Sequence, residues 1–413
     1  EKEHEDIVEQ ADETDAMFGE LYSWYLRNPE YRSRVQKLVQ SAFAGKPKDI
    51  ISQSVAKALY GEVSPYSATR LERFAACAFA HFLQYGMKLT ERVEYEFKPM
   101  DMGNVMHEAL ESFAEEVRKR GMKWTELTEQ ERNEIADRCL DNIVADYGNT
   151  VLKSSARNEY MIERTRRILR RTVWALQKQL EQGEFQPEGF EVTFGGGRID
   201  RVDIMEDQNK VYVKVIDYKT GNTSFDLVYL YHGLQLQLMI YLDGALRVEQ
   251  KKYPDKEIIP AGVFYYNIKD PMIQEKIDAD VEAVSAGLMK ELKMNGLAQA
   301  DPELVYRMDS SLGSIPVAFN KDGSFRKNSS VADRTQFAVL GRYVRTKIEK
   351  IRSSILEGDA EVSPYELGKK NACTYCPYMT VCGFDRRLSG YEFRRLKNFS
   401  DEELWKAFDR EAE

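Results

Sequence analysis

The sequence predicts an α/β fold, a small strand-rich core flanked by much helix, and three observations predict it. Between about residues 190 and 220 the hydrophobic period is two, with Val211, Val213 and Val215 alternating along one face. A further strand is expected near residues 261–266, where Val263, Phe264 and Tyr265 are strand formers. On either side, apolar residues recur every three or four positions, the helical spacing. Residues 1–60 are acidic and then helical, with Phe18, Leu21, Tyr22 and Tyr25 in register before Pro29 interrupts them. Ser64-Pro65 marks a break, and Ser67 is expected to cap a helix carrying Leu71, Phe74 and Phe79. From Gly103 a helix places Met106, Leu110, Phe113 and Val117 on one stripe, and residues 126–182 read as almost continuous helix. The texture changes at Gly183. Helix is expected again over residues 227–242 and, long and charged, over 331–356. No internal repeat is found.

Of 413 residues, 43% are hydrophobic and 31% charged, a balance that buries a large core and excludes wholesale disorder. No run approaches the ~18 apolar residues of a membrane helix. There is no signal peptide, and the start at Glu1 instead of Met leads us to expect a piece of a longer protein. The net charge of −9 excludes a general nucleic-acid coat; contact with DNA or RNA requires a local basic surface. No phosphate-binding G-x-x-x-x-G-K-[ST] loop occurs, since Ala44-Gly45-Lys46-Pro47 lacks both the first glycine and the hydroxyl. Five cysteines do not make a secreted disulfide scaffold, but three of them, Cys373, Cys376 and Cys382, cluster as metal ligands do.

The richest segment runs Gly197-Arg198-Ile199-Asp200-Arg201-Val202-Asp203 and then Val215-Ile216-Asp217-Tyr218-Lys219-Thr220-Gly221. On a strand Asp217 and Lys219 share a face, roughly 6–7 Å apart, with the three valines behind them. Charges in line with a core face are costly unless something binds them. If the two strands pair, Asp200 meets Asp217 across the ladder. Two carboxylates and an amine suit phosphodiester chemistry: the carboxylates hold Mg²⁺ or Mn²⁺, and the lysine orients a water or neutralises charge on phosphate. Read alone, D-x-K is an ordinary salt bridge of Asp217 with Lys219 or Arg198. Further on, Gln237 and Tyr241 stand four apart and share a helix face, while Gln235 lacks such a tyrosine.

G-x-x-D, D-x-K and Q-x-x-x-Y in this order resemble the RecB-type branch of the PD-(D/E)xK nucleases. The resemblance implies a restriction-endonuclease-like core, a small mixed sheet flanked by helices, with long helical insertions. That branch places a histidine early, in G-x-x-x-H-x-x-L-E, which Gly103-Asn104-Val105-Met106-His107-Glu108-Ala109-Leu110-Glu111 matches. A lone helical histidine is usually structural or solvated; the resemblance makes His107 a metal ligand beside Asp200 and Asp217. It makes Lys219, Gln237 and Tyr241 catalytic with the two aspartates. Glu191 is either a further active-site carboxylate or a surface residue. One departure is that only Val192 to Gly196 separate Glu191 from G-x-x-D, where such nucleases usually have a further strand.

Cys373-x-x-Cys376-x₅-Cys382 supplies three thiolates, and the fourth of a Cys₄ site comes from Cys77 or Cys139. Cys139 lies in a helical stretch and suits a free thiol. Spacing does not separate zinc from a [4Fe–4S] cluster. One cysteine after a Ser67-led helix, with three following the core, resembles the iron–sulfur nucleases of the AddB family and those associated with CRISPR adaptation; Cys376-Pro377-Tyr378 and Val381-Cys382-Gly383 resemble AddB specifically. This implies a [4Fe–4S] staple on Cys77, Cys373, Cys376 and Cys382. It also implies a bacterial, cytoplasmic, Mg²⁺-dependent exonuclease that processes double-strand breaks for recombination beside an AddA-like helicase–nuclease subunit.

Residues 1–60 are then the end of a helicase-like region, 61–390 the nuclease domain with its core at about 187–270, and 391–413 a basic, helical tail. The helix over about residues 158–180 carries six cations with few acids nearby, which tilts Arg164, Arg167 and Arg171 towards DNA phosphates. Arg394 and Arg395 form a second basic run. Two other readings remain: a catalytically silent, Cys₄-stapled DNA-binding scaffold, and a stand-alone CRISPR-associated exonuclease.

Overall fold

Three consecutive strands of period two build the centre of the molecule. The computed structural model describes residues 2–42, 50–61, 66–90, 99–146, 155–195, 197–273 and 280–412. Ala44-Gly45-Lys46-Pro47, Ser64-Pro65 and Gly196 lie outside the described residues. Ahead of the sheet come α1 (Lys2–Arg27), α2 (Pro29–Ala42), α3 (Gln53–Tyr60), α4 (Ala68–Ala76) and α5 (Ala78–His81), then α6 (Pro99–Lys119), α7 (Glu129–Asp146) and α8 (Ala156–Glu181). The strands β1 (Gln186–Phe194), β2 (Gly197–Asp207) and β3 (Lys210–Lys219) follow, then α9 (Leu227–Tyr231), α10 (Gln237–Lys252) and β4 (Glu257–Asn267). After α11 (Val281–Glu291), β5 (Asn295–Gln299), α12 (Pro302–Met308) and β6 (Val331–Ala332) comes the long α13 (Arg334–Glu357). The chain ends with β7 (Tyr365–Leu367), β8 (Lys370–Asn371), α14 (Met379–Cys382), β9 (Arg394–Arg395) and α15 (Asp401–Ala412).

The sheet order is β1-β2-β3-β4-β5-β6, with β3/β4 and β5/β6 parallel and the other pairs antiparallel. The parallel β3–β4 step needs a crossover, and α9 and α10 supply it. Alternation along β3 divides the core. Val211, Val213 and Val215 pack with Leu71, Leu238 and Tyr343 from α4, α10 and α13. Ile216 and Tyr218 face the other way, onto Met106, Leu110, Leu140 and Leu169 of α6, α7 and α8. The result is a helix–sheet–helix sandwich, buried on both faces.

Ser67 caps α4 as anticipated, its Oγ accepting from Arg70 N at 3.3 Å. The helix expected over 227–242 is in fact two: the chain breaks between α9 and α10, where Gly233 adopts φ +78, a left-handed conformation that glycine tolerates best. Gln237 therefore opens α10 instead of lying within a helix. Val331 and Ala332 pair with β5, and the long helix begins only at Arg334, with Asp333 and Gln336 forming a capping box across its start. β5 itself is five residues with a glycine in second place, too weak a pattern to read. Phe194 pairs with Gly197, so β1 and β2 are antiparallel neighbours, and among the described residues no further strand lies between Glu191 and Asp200. At the C-terminus, Leu404 and Phe408 of α15 are buried in the same core as the sheet. No described helix is long and apolar enough to cross a membrane.

Candidate active site

β2 and β3 bring two carboxylates together where the apolar face of the sheet ends. Arg201 pairs with Ile216 and Val202 with Val215, a register that sets Asp200 beside Asp217. Both aspartates are buried. Asp200 Oδ2 accepts the Tyr218 backbone N–H at 2.7 Å. Asp217 Oδ2 lies 2.6 Å from Lys219 Nζ without hydrogen-bond alignment. Lys219 Nζ in turn donates to Gln237 Oε1 at 2.8 Å, and Gln237 Nε2 donates to Tyr241 Oη at 2.9 Å. A continuous series of contacts thus runs Asp217–Lys219–Gln237–Tyr241, from the end of β3 to the second turn of α10.

His107 reaches the same place from α6. Its Nδ1 stands 3.4 Å from Asp200 Oδ2 and 3.6 Å from Glu191 Oε1. Glu191 sits inside β1 with φ +48, a conformation non-glycine residues rarely adopt in a strand. Its carboxylate is almost wholly buried and contacts Arg198 as well as His107. The surface alternative for Glu191 is thus excluded. The donor atoms of His107, Glu191 and Asp200 all lie within 4.8 Å of one another. The set expected from sequence was His107, Asp200 and Asp217; here Glu191 joins the first two, and Asp217 stands beside them against Lys219.

Burial pushes the Asp200 carboxyl up, the neighbouring Asp217 pushes it further, and His107 only partly offsets them. Burial also raises Asp217, despite Lys219. For His107 burial opposes charge, but Glu191 and Asp200 outweigh it and raise its pKa. A ring nitrogen and two carboxylates within 4.8 Å of one another, with the buried Asp217 beside them, form a donor set that a hard cation fits.

Sequence reasoning missed Glu72. It lies on α4, and its Oε1 accepts the backbone N–H groups of Leu236 at 2.7 Å and Gln237 at 3.0 Å. Burial pushes its carboxyl up to about 7, against the lowering by those hydrogen bonds and by Lys219. Its one sequence signal was an acid beside the apolar stripe Leu71–Phe74–Ala75, which solvated helices show everywhere.

The structure gathers four of the five cysteines. Cys77, Cys373, Cys376 and Cys382 line one small cavity with Ala80, Tyr378 and other mainly apolar neighbours. Burial raises the Cys373 thiol to about 12, and the crowding of Cys77, Cys376 and Cys382 adds to it. Cys77 receives backbone hydrogen bonds from Ala80, Ser363 and Phe79, and Phe384 N donates to Cys382 Sγ at 3.4 Å. Four convergent sulfurs with N–H donors suit a tetrathiolate centre. Cys139 is buried elsewhere, between α6, α7 and α8.

The cations of α8 are more heavily paired than the sequence suggested. Arg166 and Arg170 meet Asp137 and Asp141 of α7, and Arg167 binds Asp270 at 2.6 Å. Among the described residues Arg164 and Arg171 form no ion pair; Arg171 lies over the Trp174 ring at 5.5 Å. Both line a groove of about 730 Å³ that also holds Tyr160 and Trp174. Arg394 donates to the Ala75 carbonyl at the end of α4 and is exposed beside Arg395. Arg395 remains exposed, 3.7 Å from Glu366.

A mixed sheet between helix layers, with paired acids and a lysine at the ends of adjacent strands, defines a nuclease class, and the PD-(D/E)XK nuclease superfamily profile matches residues 65–383. The chain belongs to that superfamily. It is 41% identical, over 96% of its length, to a protein of Lachnoclostridium phytofermentans named as the B subunit of an ATP-dependent helicase/deoxyribonuclease. Proteins with the same name from Alkaliphilus metalliredigens and Clostridium acetobutylicum are 34% and 33% identical over 96% and 97% of the chain. The chain spans 36% to 37% of the length of these relatives.

Proposed function

We propose that this chain is the nuclease part of an AddB-type protein, a divalent-metal-dependent DNA exonuclease that trims double-strand-break ends beside an AddA-like helicase–nuclease partner. The series Asp217–Lys219–Gln237–Tyr241, set against His107, Glu191 and Asp200, carries the reading. His107, Glu191 and Asp200, with Asp217 adjoining, would hold Mg²⁺ or Mn²⁺, which supplies charge for phosphate oxygens and acidifies a water.

The protein's own groups do the positioning. Lys219 Nζ is held between Asp217 and Gln237 and keeps a further N–H for a phosphate oxygen as charge develops on it. Tyr241 fixes the Gln237 amide, so that its oxygen stays on the ammonium. Tyr218 N–H holds Asp200 Oδ2 in place. The four clustered thiols would hold a [4Fe–4S] cluster, whose service here is to tie the start of α5 to the C-terminal segment. Arg164 and Arg171, with the Tyr160 and Trp174 rings beside them, suit a DNA strand leading to the site.

The test is anaerobic purification followed by iron and sulfide analysis and cleavage of linear DNA with Mg²⁺ or with chelator. We expect iron near cluster stoichiometry, and metal-dependent cleavage that Asp217→Ala loses. Cleavage retained by Asp217→Ala, or a purified protein without iron, would overturn the respective half of the reading.

A further inference from the structure

Glu72 belongs neither to the donor group around His107 nor to the series from Asp217 to Tyr241, yet it holds the latter at its base. α10 has no cap of its own: Leu236 occupies the N-cap position and offers no side-chain acceptor. The first N–H groups of a helix need a partner, and an apolar cap residue leaves them without one. Glu72 provides that acceptor from another helix, with one oxygen shared by Leu236 N and Gln237 N. Gln237 is also the residue whose side chain holds Lys219. On its own helix Glu72 stands five residues before Cys77, which follows directly on α4.

We propose that Glu72 is a positioning residue of the nuclease site: by capping α10 from α4 it sets Gln237, and through Gln237 the Lys219 ammonium, and it joins their placement to the segment that ends at Cys77. The proposal rests on the nuclease reading above. Glu72 does not touch substrate; it acts through the backbone of Gln237.

The test compares Glu72→Ala and Glu72→Gln in the anaerobically purified full chain with its cluster in place. Glutamine keeps a carbonyl oxygen where Oε1 stands, whereas alanine leaves two helix-end N–H groups without an acceptor. Glu72→Ala should lower kcat on linear DNA by about tenfold to a hundredfold, the scale of a small misplacement, with KM and iron content unchanged. Glu72→Gln should return kcat to within about threefold of the parent, because the hydrogen bonds survive. Amide exchange at Leu236 and Gln237 should quicken in the alanine variant and not in the glutamine one. Parental kcat in Glu72→Ala, unchanged exchange there, or glutamine as impaired as alanine would each overturn the capping role. If the parent and Asp217→Ala both fail to cleave, the nuclease reading fails, and amide exchange still decides whether Glu72 caps α10.

Discussion

Asp200 and Asp203 stand on one strand, point to opposite faces and are both buried, but their surroundings differ in kind. Asp203 is met by Arg201 Nε at 2.5 Å, Arg201 Nη2 at 2.9 Å and Lys214 Nζ at 2.9 Å, all of them buried. Burial opposes its ionisation, yet the two cations outweigh burial and hold its carboxyl below the ordinary 3.8. At Asp200 burial prevails and pushes the carboxyl up, with Asp217 and Glu191 adding to it and His107 as the one weak cation against it. The lesson is one of compensation. A buried acid whose charge the protein neutralises is a structural element, and one left under-neutralised needs something from outside.

The most severe challenge to this contrast is to remove each acid in turn. Asp200→Asn should lower metal-dependent cleavage by on the order of a thousandfold, while leaving the melting temperature of the metal-free protein unchanged or higher. A marked drop in melting temperature would put Asp200 among the structural acids. Asp203→Ala should do the reverse and cost about 3–5 kcal/mol of unfolding free energy, because it leaves Arg201 and Lys214 buried without their anion. Since folding lowers the Asp203 pKa, its contribution is present in full above the unfolded value and fades as pH falls through the folded one. Denaturant unfolding of parent and variant, run from neutral pH down to about 3, should therefore show the gap closing with acid.

Smaller effects refine the same picture. Tyr241→Phe removes one hydrogen bond from the end of the Lys219 series and should reduce kcat by about three- to tenfold, with DNA affinity unchanged. An undiminished kcat would show that Gln237 holds Lys219 without help. The least change is expected on the α8 groove. Replacing Arg164 and Arg171 by alanine should weaken DNA binding a few-fold and shallow the salt dependence by about 0.9 for each phosphate no longer neutralised. Arg167→Ala should matter less, since Arg167 is already bound to Asp270. Equal effects in a salt titration would contradict that ranking.

How much was legible varies with the range of the interaction. Alternation along β3 announced its two faces, because side-chain direction in a strand repeats every two residues whatever the tertiary context. Gln237 and Tyr241, four apart, share a helix face for a similarly local reason, although the helix boundary at Gln237 was hidden by an apolar run that crosses the Gly233 break. The basic face of α8 was overestimated because its acids sit on α7 and beyond β4, and sequence distance hides such partners. The tie of Arg394 to α4 was hidden for the same reason, since the Ala75 carbonyl it meets is far away in sequence.

By itself the sequence determined the α/β class and the placement of Asp200, Asp217 and Lys219 towards strand ends, consequences of fixed local periods, and it displayed the close spacing of three of the clustered cysteines. The tertiary structure decided which groups complete those arrangements: Cys77, which spacing alone left open against Cys139, joining the other three thiols, Glu191 turned inward at φ +48, Glu72 at the head of α10, and Arg201 with Lys214 around Asp203. Each depends on the long-range packing of helices against a sheet. The energy of a buried charge is set by what surrounds it in space, and that neighbourhood is not written in the neighbouring residues.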